Sequence, residues 1–73
     1  MNTLITIKTK IGCEKNSIEY FGNDRYLIKV SSKTYLEANK QILEMLSRYT
    51  GVPQGRFSML KGENSEDKLF KII

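Results

Sequence analysis

Histidine is absent from this sequence of 73 residues, and cysteine occurs once, at Cys13. Because zinc sites take most of their ligands from these two residue types, the sequence has no plausible zinc ligand set. A Ser–His or Cys–His nucleophile pair is excluded for the same reason, which leaves acid–base chemistry to carboxylates, lysines or tyrosines. A single cysteine allows no internal disulfide, in keeping with a reducing compartment. We therefore expect no metal, no cofactor and no catalytic residue.

Long hydrophobic runs are also missing. No apolar stretch approaches the roughly 18 residues that a membrane span needs. The start, MNTLITIKTK, has no basic region followed by an apolar one, so we do not expect a signal peptide. The composition, 40% hydrophobic and 27% charged, argues against disorder. These observations predict one domain over residues 1–73, located in the cytoplasm and without membrane contact.

Basic residues outnumber acidic ones by 12 to 8, which gives a formal charge of +4. This excess permits attraction to nucleic acid or to another polyanion. It is also an ordinary excess for the solubility of a small domain. Charge alone does not decide between these two interpretations.

Alternation of apolar and polar residues predicts strands. In LITIKTK, Ile5 and Ile7 fall on one side while Lys8 and Lys10 fall on the other, as in a strand with one buried face. Gly22–Asp24 is a turn sequence between two such segments. The predicted strands are 4–10, 17–21, 25–30, 56–60 and 68–73.

Helical spacing is clearest in TYLEANKQILEMLSRYTG. One apolar stripe is predicted, made of Tyr35, Leu36, Ala38, Ile42, Leu43, Met45, Leu46 and Tyr49. Thr34 and Glu37 fit a capping box, and Gly51 can close the helix in the left-handed conformation. Glu44 is expected to pair with Lys40 and Arg48 on the outer face. The sequence thus predicts an α+β fold of order β-β-β-α-β-β: two layers, a mixed, mostly antiparallel sheet of four to five strands, and one long helix on one face.

The stretch KGENSEDK, residues 61–68, raises the question of a metal or phosphate site. It lacks the ligand alternation of a calcium loop and the glycine-rich turn into a helix that cradles phosphate. A weak divalent-ion site at Glu63, Glu66 and Asp67 is one alternative. We favour a solvated loop between two strands, since these residue types are common in hairpin loops.

The sheet face opposite the helix offers a second candidate. If the helix covers Ile5, Ile7, Tyr26, Ile28, Phe70 and Ile72, the other face shows Thr6, Lys8, Lys10, Leu27, Lys29, Leu69 and Lys71. Lys8, Lys10, Lys29 and Lys71 would then form a basic surface that contacts the phosphates of a nucleic acid. The same face, with Leu27 and Leu69 among the lysines, could instead bind an acidic protein. Lysine at exposed strand positions also has a simpler explanation, because it discourages edge association.

Several segments, in order and spacing, resemble the YggU-like family, domain of unknown function family 167. Ala38 and Asn39 match the Ala-Asn pair that opens the family's helix, and Gly51 begins its Gly-Val-Pro. Gly62, Glu63, Ser65 and Lys68 match its Gly-Glu-x-Ser-x-x-Lys. The early segment of Lys10, Gly12 and Asn16 matches its Lys-Pro-Gly-x-x-x-Asn. The resemblance implies a small two-layer α/β fold and no established activity.

The chain departs from the family at four positions. Leu36 and Glu37 replace a Gly-Lys pair, Glu66 replaces an arginine, and Ile11 replaces a proline. Two expected cations are therefore acids, which weakens an anion-binding role for these loops. Our leading hypothesis is a non-enzymatic accessory or binding module. The competing hypothesis is an enzyme that uses Asn39, Glu63, Ser65 and Lys68, and it requires the late loop to fold back against the start of the helix.

Overall fold

Five strands and one α-helix follow one another in the order β-β-β-α-β-β in the computed structural model, which describes residues 3–73. The strands are β1 (Thr3–Lys10), β2 (Ser17–Tyr20), β3 (Arg25–Lys29), β4 (Phe57–Lys61) and β5 (Asp67–Ile72), and the helix is α1 (Tyr35–Thr50). A short 3-10 turn, Gln54–Arg56, precedes β4. The predicted α+β class and element order are confirmed.

The strands form one sheet in the order β2-β3-β1-β5-β4. β1 pairs in parallel with β3, whereas the pairs β1–β5, β2–β3 and β4–β5 are antiparallel. The chain therefore crosses from β3 to β4, past two intervening strands, and α1 lies in that crossover. β2 and β4 are the two edge strands.

The core lies between α1 and one face of the sheet. Its buried apolar residues are Ile5, Ile7, Tyr26, Ile28, Val30, Ala38, Ile42, Leu46, Phe57 and Phe70. Alternation accounts for this set, because the residues between them in β1 and β3 are exposed or half-buried. Of the six sheet residues predicted to lie under the helix, five are buried and Ile72 is half-buried.

Helix α1 begins and ends where its capping residues predict. The Thr34 hydroxyl accepts a hydrogen bond from the Glu37 amide at 3.3 Å, and Gly51 ends the helix in the left-handed conformation. The apolar stripe is narrower than predicted, because Leu36 is 72% exposed and Tyr49 is 52% exposed. Ala38, Ile42 and Leu46 alone are fully buried on it.

The predicted ion pairs of Glu44 with Lys40 and Arg48 do not form. Within residues 3–73, the only ion pairs are those of Lys8. All three side chains are exposed to solvent, and an ion pair between exposed side chains contributes little to stability.

Strand boundaries differ from the prediction by one residue. β2 and β3 end at Tyr20 and Lys29, and the loop between them places Asn23 and Asp24 in the left-handed region that these residue types tolerate. β4 begins at Phe57 because the Arg56 amide is engaged by Pro53 O in the preceding turn, at 3.0 Å. No helix within the described residues has the length and hydropathy to cross a membrane.

Candidate functional site

The sheet face opposite α1 carries all four lysines predicted for it. Lys8, Lys10 and Lys29 are exposed, and Lys71 is half-buried. The helix packs on the other side, and the four lysines come from three adjacent strands, β3, β1 and β5. The register divides these lysines into three locations with different surroundings.

Lys8 is engaged with carboxylates. Its Nζ lies 3.2 Å from Asp67 Oδ1 and 3.5 Å from Glu66 Oε2. Lys8 and Asp67 face each other across the β1–β5 ladder, which explains the contact. The hydrogen bond to Asp67, together with that residue's charge, raises the pKa of Lys8. Lys8 therefore presents less free positive charge than its exposure suggests.

Lys10 and Lys29 form the basic centre of the face. They are direct neighbours in the parallel β1–β3 ladder, so their backbones lie about 4.8 Å apart. Lys15, from the β1–β2 connection, lines the same shallow depression of about 670 Å³. Glu14 is the acidic residue among its lining. We call Lys10, Lys15 and Lys29 the lysine cluster.

Lys71 stands apart from the lysine cluster. It pairs with Leu4 at the opposite end of β1, six residues from Lys10, a separation of about 20 Å along the strand. Its other neighbour in the ladder is Ser58. The sequence correctly placed Lys71 on this face, but the face does not bring it next to Lys10 and Lys29.

The loop between β4 and β5 folds back against the start of α1, as the enzyme hypothesis required. The Asn39 side-chain amide donates to the Glu63 carbonyl oxygen at 3.0 Å, and the ammonium of Lys68 donates to the carbonyl oxygens of Gly62 and Glu63 at 2.6 and 3.4 Å. Ser65 is occupied within the loop, where its hydroxyl accepts from the Asp67 amide at 3.2 Å. These contacts use the backbone of Glu63 rather than its carboxylate. They fasten the loop to the helix.

Lys68 is the buried member of this group, with 1% of its surface exposed. Its Nζ lies 4.7 Å from the centre of the Tyr35 ring, within the range of a cation–π contact. Burial lowers the pKa of Lys68, and the charge of Glu63 opposes that effect. Alternation with Phe70 could have placed Lys68 inside, because both residues point to the helix side of β5.

The remaining positions of the family motif are structural in this fold. Ala38 is fully buried on the side of α1 that faces the sheet. Gly51 closes the helix at φ 77°. The Asn39 Oδ1 atom is buried and has no hydrogen-bond partner among the described residues. The acids Glu63, Glu66 and Asp67 do not converge, since no three metal-ligating side chains group together within residues 3–73.

Sequence inspection missed one feature, a groove between α1 and the edge strand β4. Leu36, Lys40 and Leu43 line its helix side, and Met59, Leu60 and Lys61 line its strand side. Leu36 and Leu43 had been assigned to the apolar stripe. Their positions around the helix axis could have indicated this groove, because Leu36 and Leu43 lie well away from the side of α1 that carries Ala38, Ile42 and Leu46.

Comparison with models of known protein families finds no match for this chain. Membership of the YggU-like family therefore stays a prediction.

Proposed function

We propose that this protein is a binding module whose lysine cluster holds the phosphate backbone of a nucleic acid. The observation that carries the proposal is the adjacency of Lys10 and Lys29 on an uncovered sheet face, with Lys15 beside the same depression. Three cations face one glutamate there. None of the three forms an ion pair within the described part of the chain.

The cost of this arrangement supports a role in anion binding. Like charges on neighbouring strand positions destabilise a sheet by a few tenths of a kcal/mol or more. Neither Lys10 nor Lys29 gains a compensating carboxylate, whereas Lys8, two residues before Lys10, has two. A bound phosphate would supply the missing negative charge and relieve the repulsion.

Recognition at this site depends on charge rather than on sequence. The lysine cluster contains no aromatic side chain on which a base could stack. Lysine acts as a flexible point charge and does not read bases in a fixed geometry as arginine does. The expected ligand is therefore any exposed phosphate backbone, with affinity that falls steeply with salt.

Fluorescence anisotropy with a labelled DNA duplex tests the proposal. If the lysine cluster neutralises three phosphates, the slope of log affinity against log salt is about −2.7, a loss of roughly 40-fold between about 50 and 200 mM salt. The double variant Lys10→Gln/Lys29→Gln leaves one contact, and its slope should fall to about −0.9. The same double variant should unfold at slightly higher urea, because the repulsion is gone.

The matched control is Lys40→Gln/Lys61→Gln, which removes equal charge away from the lysine cluster. It should keep the steep slope of the unmodified protein. The proposal fails if the unmodified protein does not bind the duplex at about 50 mM salt, or if both double variants weaken binding equally. Lys71→Gln tests the fourth predicted lysine, and we expect it to behave like the control.

A further inference from the structure

The groove between α1 and β4 is a second surface with the features of a peptide-binding site. We call it the α1–β4 groove; it has a volume of about 610 Å³ and is lined by Leu36, Lys40, Leu43, Met59, Leu60 and Lys61, among others. It lies at the opposite edge of the sheet from β2. The lysine cluster, on β1, β3 and the β1–β2 connection, contributes nothing to it.

The floor of this groove is apolar and accessible. Leu36 is 72% exposed and Leu60 is 48% exposed, so a large part of each side chain is free to contact a ligand. Leu36, Lys40 and Leu43 follow one another at spacings of four and three, so they form one continuous strip along α1. An aliphatic side chain laid in the groove would contact this strip on one side and Leu60 on the other.

Strand β4 supplies the second component, an unpaired edge. It is bonded to β5 alone, so its alternate amide and carbonyl groups face away from the sheet. The irregularity of the ladder falls between Met59 and Lys61, which leaves Phe57–Met59 in regular pairing. An extended segment could therefore hydrogen-bond to this edge while its alternate side chains enter the groove.

The charge of the α1–β4 groove indicates which kind of segment it binds. Lys40 and Lys61 stand on the two walls of the groove, and neither forms an ion pair within residues 3–73. The loop acid at the groove, Glu63, balances only one of them. A second copy of this chain would bring the same two lysines and the same excess of positive charge, so like charges would oppose its docking.

We propose that the α1–β4 groove binds an extended segment of a partner protein in which carboxylate residues alternate with aliphatic ones, and that the segment adds to the sheet as a sixth strand beside β4. The backbone of the segment pairs with the free edge. Its aliphatic side chains contact Leu36, Leu43 and Leu60 on the helix side of the added strand. Its carboxylates point to the opposite side, toward Lys61, whose ladder partner Leu69 lies on the open face.

Titration of ¹⁵N-labelled protein with the peptide acetyl-Glu-Val-Glu-Val-Glu-Val-amide tests this proposal. Amide shifts should appear in Phe57–Lys61 and along 36–43 of α1, and should leave the amides of Lys10 and Lys29 unchanged. Lys61→Gln should weaken binding about two- to fivefold at low salt, as expected for one exposed charge pair, whereas Lys40→Gln should have little effect. Lys10→Gln/Lys29→Gln is the matched control and should bind like the unmodified protein.

Two further peptides test the mode of binding. N-methylation of the three residues that face β4 removes the donors of the added ladder and should abolish the shifts, whereas N-methylation of the alternate three should preserve them. The lysine-for-glutamate peptide should not bind. Equal binding of the acidic and basic peptides, or shifts that survive both methylations, would overturn the proposal.

Sedimentation velocity tests whether a second copy of this chain occupies the groove instead of a peptide. The proposal expects a monomer whose groove amides do not move on dilution. A concentration-dependent dimer that is lost in Leu60→Asp, with the same groove amides shifting on dilution, would assign the surface to a second copy and refute the peptide proposal.

Discussion

Lys68 differs from every other lysine of the described chain in its surroundings. Its ammonium is enclosed between β5, the Tyr35 ring and the carbonyl groups of the late loop, with no carboxylate at ion-pair distance in residues 3–73. Both carbonyls keep a second partner: the Ser65 amide bonds Gly62 O, and Asn39 bonds Glu63 O. Lys68 therefore adds hydrogen bonds to a loop that other contacts already hold in place, and burying its charge costs desolvation free energy.

This burial predicts a dependence of stability on pH. The pKa of Lys68 is lowered in the folded protein, so between that lowered value and 10.5 the unfolded state binds more protons than the folded state. Stability linked to Lys68 consequently rises with pH through this window, by at most about 1.4 kcal/mol per pH unit. Urea denaturation at a series of alkaline pH values measures it.

Comparison of variants isolates the contribution of Lys68. The free energy of unfolding of the unmodified protein, minus that of Lys68→Met, should increase as pH rises through the window. Lys71→Met, which removes a lysine from the open face, should give a difference that does not increase in the same way. Parallel pH curves for the unmodified protein and Lys68→Met would show that the folded ammonium is not desolvated.

At the scale of elements, the close approach of β4 and β5 depends on Gly62. Its φ is 90°, and a Cβ added there would collide with the Asp67 carbonyl oxygen and with Lys68 Cα. Both colliding atoms belong to backbone, which cannot move aside without breaking the ladder. The glycine of the late loop is thus required by the fold, whatever the loop binds.

Gly62→Ala should therefore destabilise the protein by about 2–4 kcal/mol, the sum of a strained left-handed residue and an overpacked contact. Gly55→Ala is the matched control, because no atom lies within 4 Å of its added Cβ and its φ is not in the left-handed region. That variant should stay within about 1 kcal/mol of the unmodified protein. Equal midpoints of urea denaturation for the two variants would contradict the role assigned to Gly62.

The elements could be predicted from sequence because each has its own short-range signal. Alternation defined β1 and β3, and Thr34 with Gly51 defined the two ends of α1. The irregular register between Met59 and Lys61 has no such signal, because it exists only once β4 and β5 are paired. Leu36 lies off the direction of Ala38, Ile42 and Leu46 on α1, but its 72% exposure depends on which part of the helix the sheet covers.

For the whole molecule, strand order decides which lysines meet. The sequence correctly placed Lys8, Lys10, Lys29 and Lys71 on one face, because alternation fixes the face of each residue. It could not show that β1 lies between β3 and β5. That order places Lys10 beside Lys29, Lys8 opposite Asp67, and Lys71 beside Leu4.

The molecule then has two proposed contact surfaces that do not overlap. The lysine cluster lies on the open face toward β3, and the α1–β4 groove lies at the far edge of the sheet. Both follow from one arrangement, in which a single helix covers one side of the sheet and stops short of complete cover at β4.

Lysine acetylation followed by mass spectrometry tests that arrangement most directly, because the lysines of the chain report on both faces. Under native conditions Lys10 and Lys29 should react readily, while Lys68 should react only after denaturation, since 1% exposure leaves its amine out of reach of the reagent. If native Lys68 were acetylated as fast as Lys29, the helix could not be covering this side of β5, and the one-sided sheet described above would be wrong.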